Sequence, residues 1–356
     1  MSAAPPKGRV DFGARRKPIR LGGRVSAVVN TRAVLLILAG VIGCVLMTVA
    51  ALMLGDYPVP LDQVVSILSG ADLGFANTVV LQWRLPRAVA AIVFGAALGI
   101  SGAIFQSVTR NVLGSPDVIG FNAGAFTGAI VSIGFLGGAQ ATTTLLALAG
   151  GGTAAFLVYA LAFRGGVSGT RFIVIGIAVS MGLTAFNSLL VLRMEQRVAT
   201  IAMTWGQGDL ENIRWQQVGP MCVLLAVVVA CAALLSGRMH QLELGDDTAR
   251  ATGVRIEPVR LALIAVGVAL TAVVTSVCGP IAFVALAAPH LARLVAGSAG
   301  TSLTSAAIVG AVLLSTCDLA AQHLLTVDIP VGVVTVVVGG TYLVWLITWK
   351  LRRTRV

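Results

Sequence analysis

The chain has 356 residues, of which 57% are hydrophobic and only 11% charged, whereas an ordinary soluble domain is about a quarter charged. That balance excludes a soluble multidomain protein and implies an all-α, polytopic membrane protein. A formal net charge of +11 would suit a nucleic-acid partner, but the placement of charge relative to the spans decides its meaning.

In chain order, Met1–Arg32 is polar and rich in Lys and Arg, with no hydrophobic core or cleavage pattern, and reads as a basic cytoplasmic tail rather than a cleaved leader. The first span is Ala33–Leu54, long enough for a hydrocarbon layer of about 30 Å. Asp56–Leu68 reads as a short interfacial helix with Asp62 near its N-terminus, where the dipole favours an anion. Further spans follow at Ala88–Val108, Val118–Leu136, Thr143–Phe163, Phe172–Leu192, Val218–Ser236, Val259–Val277, Gly279–Val295, Ser302–Ala321 and Val331–Trp349. The connection from Arg164 to Arg171 reads as a cytoplasmic turn, Arg193–Gln217 as a long polar loop, Gly237–Pro258 as a charged loop, and 350–356 as a second basic tail. Ten spans bring both ends to one side. Of the 25 Lys and Arg residues, all but Arg84, Arg87, Arg193, Arg197 and Arg214 then fall on that side, as the positive-inside rule requires of cytoplasmic termini. The net charge is thereby explained without nucleic acid.

The five cysteines lie in or beside spans and form no CxxC pair, and no HExxH, GxSxG or Gly-Lys-Ser/Thr phosphate loop occurs. These residues carry no metal centre, no hydrolase and no nucleotide site. Any use of ATP requires a separate subunit.

Three features remain. Arg84-Leu-Pro-Arg87 stands on the external side at the head of the second span, with Pro86 suited to a helix start; its two arginines, expected to be exposed, could receive carboxylates or anchor the helix among lipid headgroups. The segment Leu242–Val254 contains Gly245, which can end one helix, Asp246 or Asp247, which can cap the next, and Gly253, which stops it; it reads as a docking knob for a cytosolic partner or as a solvated loop. Glycines at 95 and 99, and at 120, 124 and 128, put small residues on single helix faces for close packing. Breaks at Pro116, Gly279-Pro280, Pro289 and Pro330 suggest irregular backbone lining a water-filled path, and Asp318 is the acidic residue placed within or at the end of a span, either functional or structural, as a helix-end cap or bonded to a neighbouring helix.

The blocks RLPR with GAALGISGAIFQ, RNVLGSPDVIGFNAGA, LGDDTARATGV, GPIAFVALAAPHLARL and DIPVGVVTVVVGG resemble the FecCD permeases, the membrane subunits of type II ABC importers for iron-siderophores, haem and cobalamin. They look most like the G-type permeases of ferric enterobactin importers. The resemblance implies a ten-helix fold in the bacterial plasma membrane, a second permease subunit, two ATPase subunits that bind ATP and Mg²⁺, and a periplasmic or lipoprotein substrate-binding protein. Iron would be present only within the transported chelate, with no cofactor on this chain. It implies docking of the binding protein at Arg84 and Arg87, and ATPase coupling through Leu244, Gly245, Asp246, Asp247, Ala249, Arg250 and Gly253. Residues at the polar breaks, Asn111, Pro116, Asp117, Asn122, Pro280, Pro289, Asp318 and Gln322, are candidates for gating or the path. Two departures stand out: Val112 replaces a common proline after Asn111, and Gln322 replaces an external arginine carried by many cobalamin and haem permeases four residues after the Asp. The second favours a heterodimer over a homodimer. The rival readings are a haem or cobalamin permease, an ion-coupled secondary transporter, which needs paired intramembrane carboxylates or histidines, and a non-transporting scaffold.

Overall fold

The computed structural model describes residues 16–21, 25–117, 119–163, 169–297, 300–324 and 329–353. Residues 1–15 and 22–24 of the basic tail, most of the expected turn after Phe163, and 354–356 lie outside them. Of the tail, Arg16–Leu21 (β1) and Val25–Asn30 (β2) form an antiparallel hairpin in which Arg16 faces Asn30, a structure not expected from its polar composition. Asn30 then caps the first helix, its side chain accepting from the Arg32 amide, while its Nδ2 donates to the Ala296 carbonyl at 3.0 Å.

The helices are α1 (Thr31–Met53), α2 (Leu61–Leu68), α3 (Phe75–Asn77), a π-helical segment Thr78–Arg84 that runs directly into α4 (Leu85–Thr109), α5 (Phe121–Phe135), α6 (Gln140–Ala162), α7 (Gly169–Leu192), α8 (Gln196–Trp205), α9 (Trp215–Glu243), α10 (Asp246–Ala251), α11 (Ile256–Cys278), α12 (Val284–Ala296), α13 (Leu303–His323) and α14 (Val331–Arg353). Seven helices are long and apolar enough to cross a membrane: α1, the continuous Phe75–Thr109 segment, α6, α7, α9, α11 and α13. The shorter α5, α12 and α14 are apolar as well. The ten expected spans thus each correspond to a helix, and the expected interfacial helix corresponds to α2.

Three boundaries are corrected. The supposed loop 193–217 contains α8, whose Val198, Ala202 and Trp205 recur at helical spacing and turn inward; Trp205 stacks on Phe126 with centroids 6.4 Å apart. Helix α9 continues past Ser236 to Glu243, because Met239 and Leu242 remain buried beneath the charged residues. The basic stretch after Trp349 is helical through Arg353 rather than a separate tail.

Helix α4 is the axis of the subunit. It packs on α13, α11, α12 and α9, and 78% of its most apolar window is buried, against 6% for α1 and 17% for α9. The sequence explains this position. Gly95, Gly99 and Gly102 lie against the backbone of Gly310, Ala306 and Ala285, where a β-carbon would collide with a carbonyl, and such close approach is how helices associate in lipid. Gly124 and Gly128 do the same for α5 against α6. Among the buried polar groups, Ser101 donates from its hydroxyl to the Gly267 carbonyl at 2.7 Å, which satisfies it where no water is available.

Candidate translocation and docking sites

The C-terminal end of α4 is built around an arginine that sequence reasoning counted only as a charge. Arg110 closes the helix in the left-handed region (φ 50°), a conformation that costs a non-glycine residue free energy and persists only where surroundings enforce it. Its Nε donates to the Leu242 carbonyl at 3.0 Å, and its Nη2 donates to Asp246. Arg260, at the start of α11, donates to both oxygens of the same carboxylate at 3.1 and 3.2 Å and to Glu257 at 3.1 Å. Burial alone would raise the Asp246 carboxyl pKa; hydrogen bonds and charge from Arg110 and Arg260 outweigh it and hold it below the usual carboxylate value. Gly245 (φ 112°), rather than an aspartate, is the N-cap of α10; Asp246 and Asp247 fall in its first turn and make no cap hydrogen bond. Gly253 follows in the left-handed region. Of the expected coupling residues, Leu244, Asp247, Arg250 and Gly253 are exposed, Gly245 and Asp246 half-buried, and Ala249 buried, anchoring the turn. Arg250 donates to Asp247 at 3.2 Å on the open surface.

The N-terminal end of α4 corrects an expectation: Arg84 and Arg87 are not open to solvent but half-buried. Arg84 donates from Nη1 to the Leu52 carbonyl at 2.9 Å and from Nη2 to the Tyr57 carbonyl at 2.8 Å, so it satisfies the end of α1, whose last carbonyls lack intrahelical partners. Arg87 donates from Nε and Nη2 to Asp318 at 3.0 and 2.9 Å, with Asp318 only 3% exposed. Gln322 donates to the other carboxylate oxygen at 2.8 Å. Asp318 is thus bonded to a neighbouring helix, the second of the two readings above. Pairing is what makes a charge tolerable at such depth. Beyond the pair lies a polar cavity of about 260 Å³ lined by Arg87, Gln207, Asp209, Glu211 and Gln322.

A cavity of about 740 Å³ lies on the flank formed by α5, α7 and α14. Its walls include Asp117, Asn122, Asn187, Gln207, Pro280 and Val336, and are otherwise largely apolar. Asp117 accepts from Asn122 Nδ2 at 2.6 Å and from the Phe283 amide at 3.3 Å, so it joins the break before α5 to the break before α12. Asp117, Asn122 and Pro280 therefore meet at one cavity. Asn111, Pro116, Pro289, Asp318 and Gln322 do not line it; Asn111 borders a small polar cleft at the C-terminal end of α4, and Pro289 is buried within α12. No cluster of His, Cys, Asp and Glu able to hold a metal occurs among the described residues.

A many-helix membrane subunit with a side cavity and a tethered knob at one end is the class of protein known as a transport permease. Residues 33–349 match the FecCD transport family, and the chain belongs to that family. It is 43% identical over 326 residues to the ferric enterobactin transport system permease protein FepG of Escherichia coli (strain K12), covering 91% of this chain and 99% of that one. It is 31% identical over 323 residues to the probable siderophore transport system permease protein YfhA of Bacillus subtilis (strain 168), covering 88% and 94%. Among solved structures, one described as an inward-facing conformation of a metal-chelate type ABC transporter matches with a TM-score of 0.76 at 26% identity, covering 88% of this chain and 98% of that chain.

Proposed function

We propose that the chain carries a ferric siderophore, of the enterobactin class, across the bacterial plasma membrane with both termini in the cytoplasm. It is a permease subunit of an iron-siderophore ABC importer; ATP is hydrolysed in a separate subunit, and a substrate-binding protein delivers the cargo. The observation that carries the reading is the side cavity joined to the tethered α10: the Arg110–Asp117 segment has the Asp246 contact at one end and the cavity wall at the other. ATP-driven movement of α10 would thereby reach the path. The chelate itself contains the iron, and the chain contributes no cofactor; ATP and Mg²⁺ belong to the ATPases.

The cavity is open along α7 and α14, which leave Met181, Phe186, Val336 and Val337 exposed. A second permease subunit would complete it, and a different chain is favoured because Gln322, committed to Asp318, supplies no docking cation. On the external face, Arg87 retains Nη1 for a carboxylate of the binding protein, while Arg84 shapes the rim. Leu244, Asp247 and Arg250 form the surface offered to the ATPase.

The test is ATP-dependent uptake of ferric enterobactin into proteoliposomes containing the whole importer, with haem and cobalamin as competing cargoes. Uptake of haem or cobalamin alone would move the substrate; uptake driven by a proton gradient without ATP would overturn the importer reading. Intact-complex mass after detergent extraction decides the dimer, and two copies of this chain per complex would sink the heterodimer. Arg87→Lys, which keeps a positive charge facing Asp318 but removes the guanidinium fork, should weaken docking of the binding protein without dissociating the ATPases.

A further inference from the structure

On the side of the membrane that carries Arg84, a ridge of aromatic rings is left about half exposed. Tyr57 meets Phe75 edge to face with centroids 5.5 Å apart, and Phe75 meets Trp83 the same way at 5.7 Å. The guanidinium of Arg214 stands over the Trp83 ring at 5.8 Å. Trp215 is fixed beside it, its Nε1 donating to the Leu81 carbonyl at 2.7 Å. Tyr57, Phe75, Trp83 and Trp215 are each 42–57% exposed, and no carboxylate pairs with Arg214 among the described residues.

The surroundings are not those of a surface facing water. Helix α2, next in the chain to Tyr57, buries Val64 and Ile67 on one side and exposes Leu61, Val65 and Leu68 on the other, at i, i+4 and i+7. The exposed stripe continues onto α1, whose Leu35, Leu38, Ile42, Val45 and Leu46 face outward. Helices α1 and α9 are peripheral, as their low burial shows, and the ridge crosses the end of α4 between them. Its depth is that of the headgroups, since α1 ends at Met53 and α9 begins at Trp215. Trp and Tyr favour that level because one end of each ring system is apolar and the other wet. A guanidinium there matches phosphate in both charge and fork geometry.

We infer that Arg214, with Trp83 and Trp215, forms a binding site for the phosphate of a membrane phospholipid, whose acyl chains run along the exposed face of α1. The ring of Trp83 holds the guanidinium in place, so the fork is presented to the lipid in a fixed orientation. The site depends on the spanning topology but not on the substrate, and it stands whichever chelate is transported.

The test uses the intact importer in nanodiscs of phosphatidylethanolamine and phosphatidylglycerol, with lipid retained after gentle release counted by native mass spectrometry. Arg214→Ala and Arg214→Glu should lower retained phosphatidylglycerol by about tenfold, as loss of a charge-assisted hydrogen bond implies. Arg214→Lys should give an intermediate loss, Trp83→Leu a smaller one, and Arg193→Ala, an exposed arginine elsewhere on that side, none. Excess inorganic phosphate should not displace the lipid. Equal retention in wild type and Arg214→Glu would overturn the site. So would displacement by phosphate alone, or weakened docking of the binding protein with lipid retention unchanged. Should Arg214→Ala and Arg214→Glu fail to assemble, the Trp83→Leu and Arg214→Lys series decides by the same reading.

Discussion

At one end of α4, Arg87 is turned inward and holds a carboxylate that is 3% exposed; at the other, Arg110 is turned outward and shares a carboxylate that is 35% exposed with Arg260. Both are arginine–aspartate pairs between α4 and another helix, and burial makes them different devices. The Arg87–Asp318 pair joins α4 to α13, the most intimate packing in the subunit, where glycines already bring the backbones together. It is part of a rigid unit. The Arg110–Asp246 pair joins α4 to a six-residue helix that has one buried anchor, Ala249, and solvent screens it. A contact of that kind can be remade each cycle, which is what a transmitted movement needs.

The comparison can be broken most severely at the buried pair. Arg87→Ala leaves the buried Asp318 carboxyl without its counter-charge, and breaking a buried pair in this way costs on the order of 3 kcal/mol or more. The expected outcome is a large drop in thermal midpoint and in yield of the assembled importer, largely restored by the double change Arg87→Ala with Asp318→Asn. Failure of the second change to restore stability would mean that the pair is not the reason.

Arg110→Ala should behave differently. Discounted for exposure, the ion pair is worth about 1 kcal/mol or less, so assembly and thermal stability should hold. Transport per ATP hydrolysed should fall several-fold in reconstituted vesicles, as it should for Asp246→Asn. A loss of stability matching that of Arg87→Ala would erase the distinction between the two ends.

Acidification sharpens the same contrast. The Asp246 carboxyl is held below its unfolded value, so the stability it contributes is fully present above that value, about 3.9, and is lost as pH falls through the lower folded value. Amide exchange across α10 should therefore keep its protection from neutral pH down to about that point and lose it below. The smallest effect is expected for Gln322→Leu, which removes one hydrogen bond to the Asp318 carboxylate, worth about 1 kcal/mol; the thermal midpoint should shift slightly with uptake retained.

Much of this was legible in the chain. Ten apolar stretches, the small-residue faces at Gly95–Gly99 and Gly124–Gly128, and the short knob at 246–251 follow from composition and spacing, because helix periodicity and the exclusion of charge from lipid act locally. Helix α8 was missed because its ten residues are too few to span a membrane and Gln196, Arg197, Thr200 and Thr204 interrupt its apolar ones; the spacing of Val198, Ala202 and Trp205 was the signal that could have found it. The extension of α9 was missed because charge in the sequence was equated with loop. The state of Arg84 and Arg87 was not legible at all, since their partners, Leu52, Tyr57 and Asp318, are 32, 27 and 231 residues away.

What the sequence determined by itself is the solvent of this protein: a bilayer leaves helices as the workable spanning form, and uncharged stretches of sufficient length specify where they lie. Tertiary structure alone decided which charges are free. Arg87 and Arg110 look alike in the chain, yet one is drawn into a buried pair by the close approach of α4 and α13, the other is left at a screened surface, and Arg214 is left over an indole ring with no carboxylate paired to it among the described residues. The reason is that pairing a charge depends on distance and burial in space, and neither is encoded within the few neighbouring residues that set a helix.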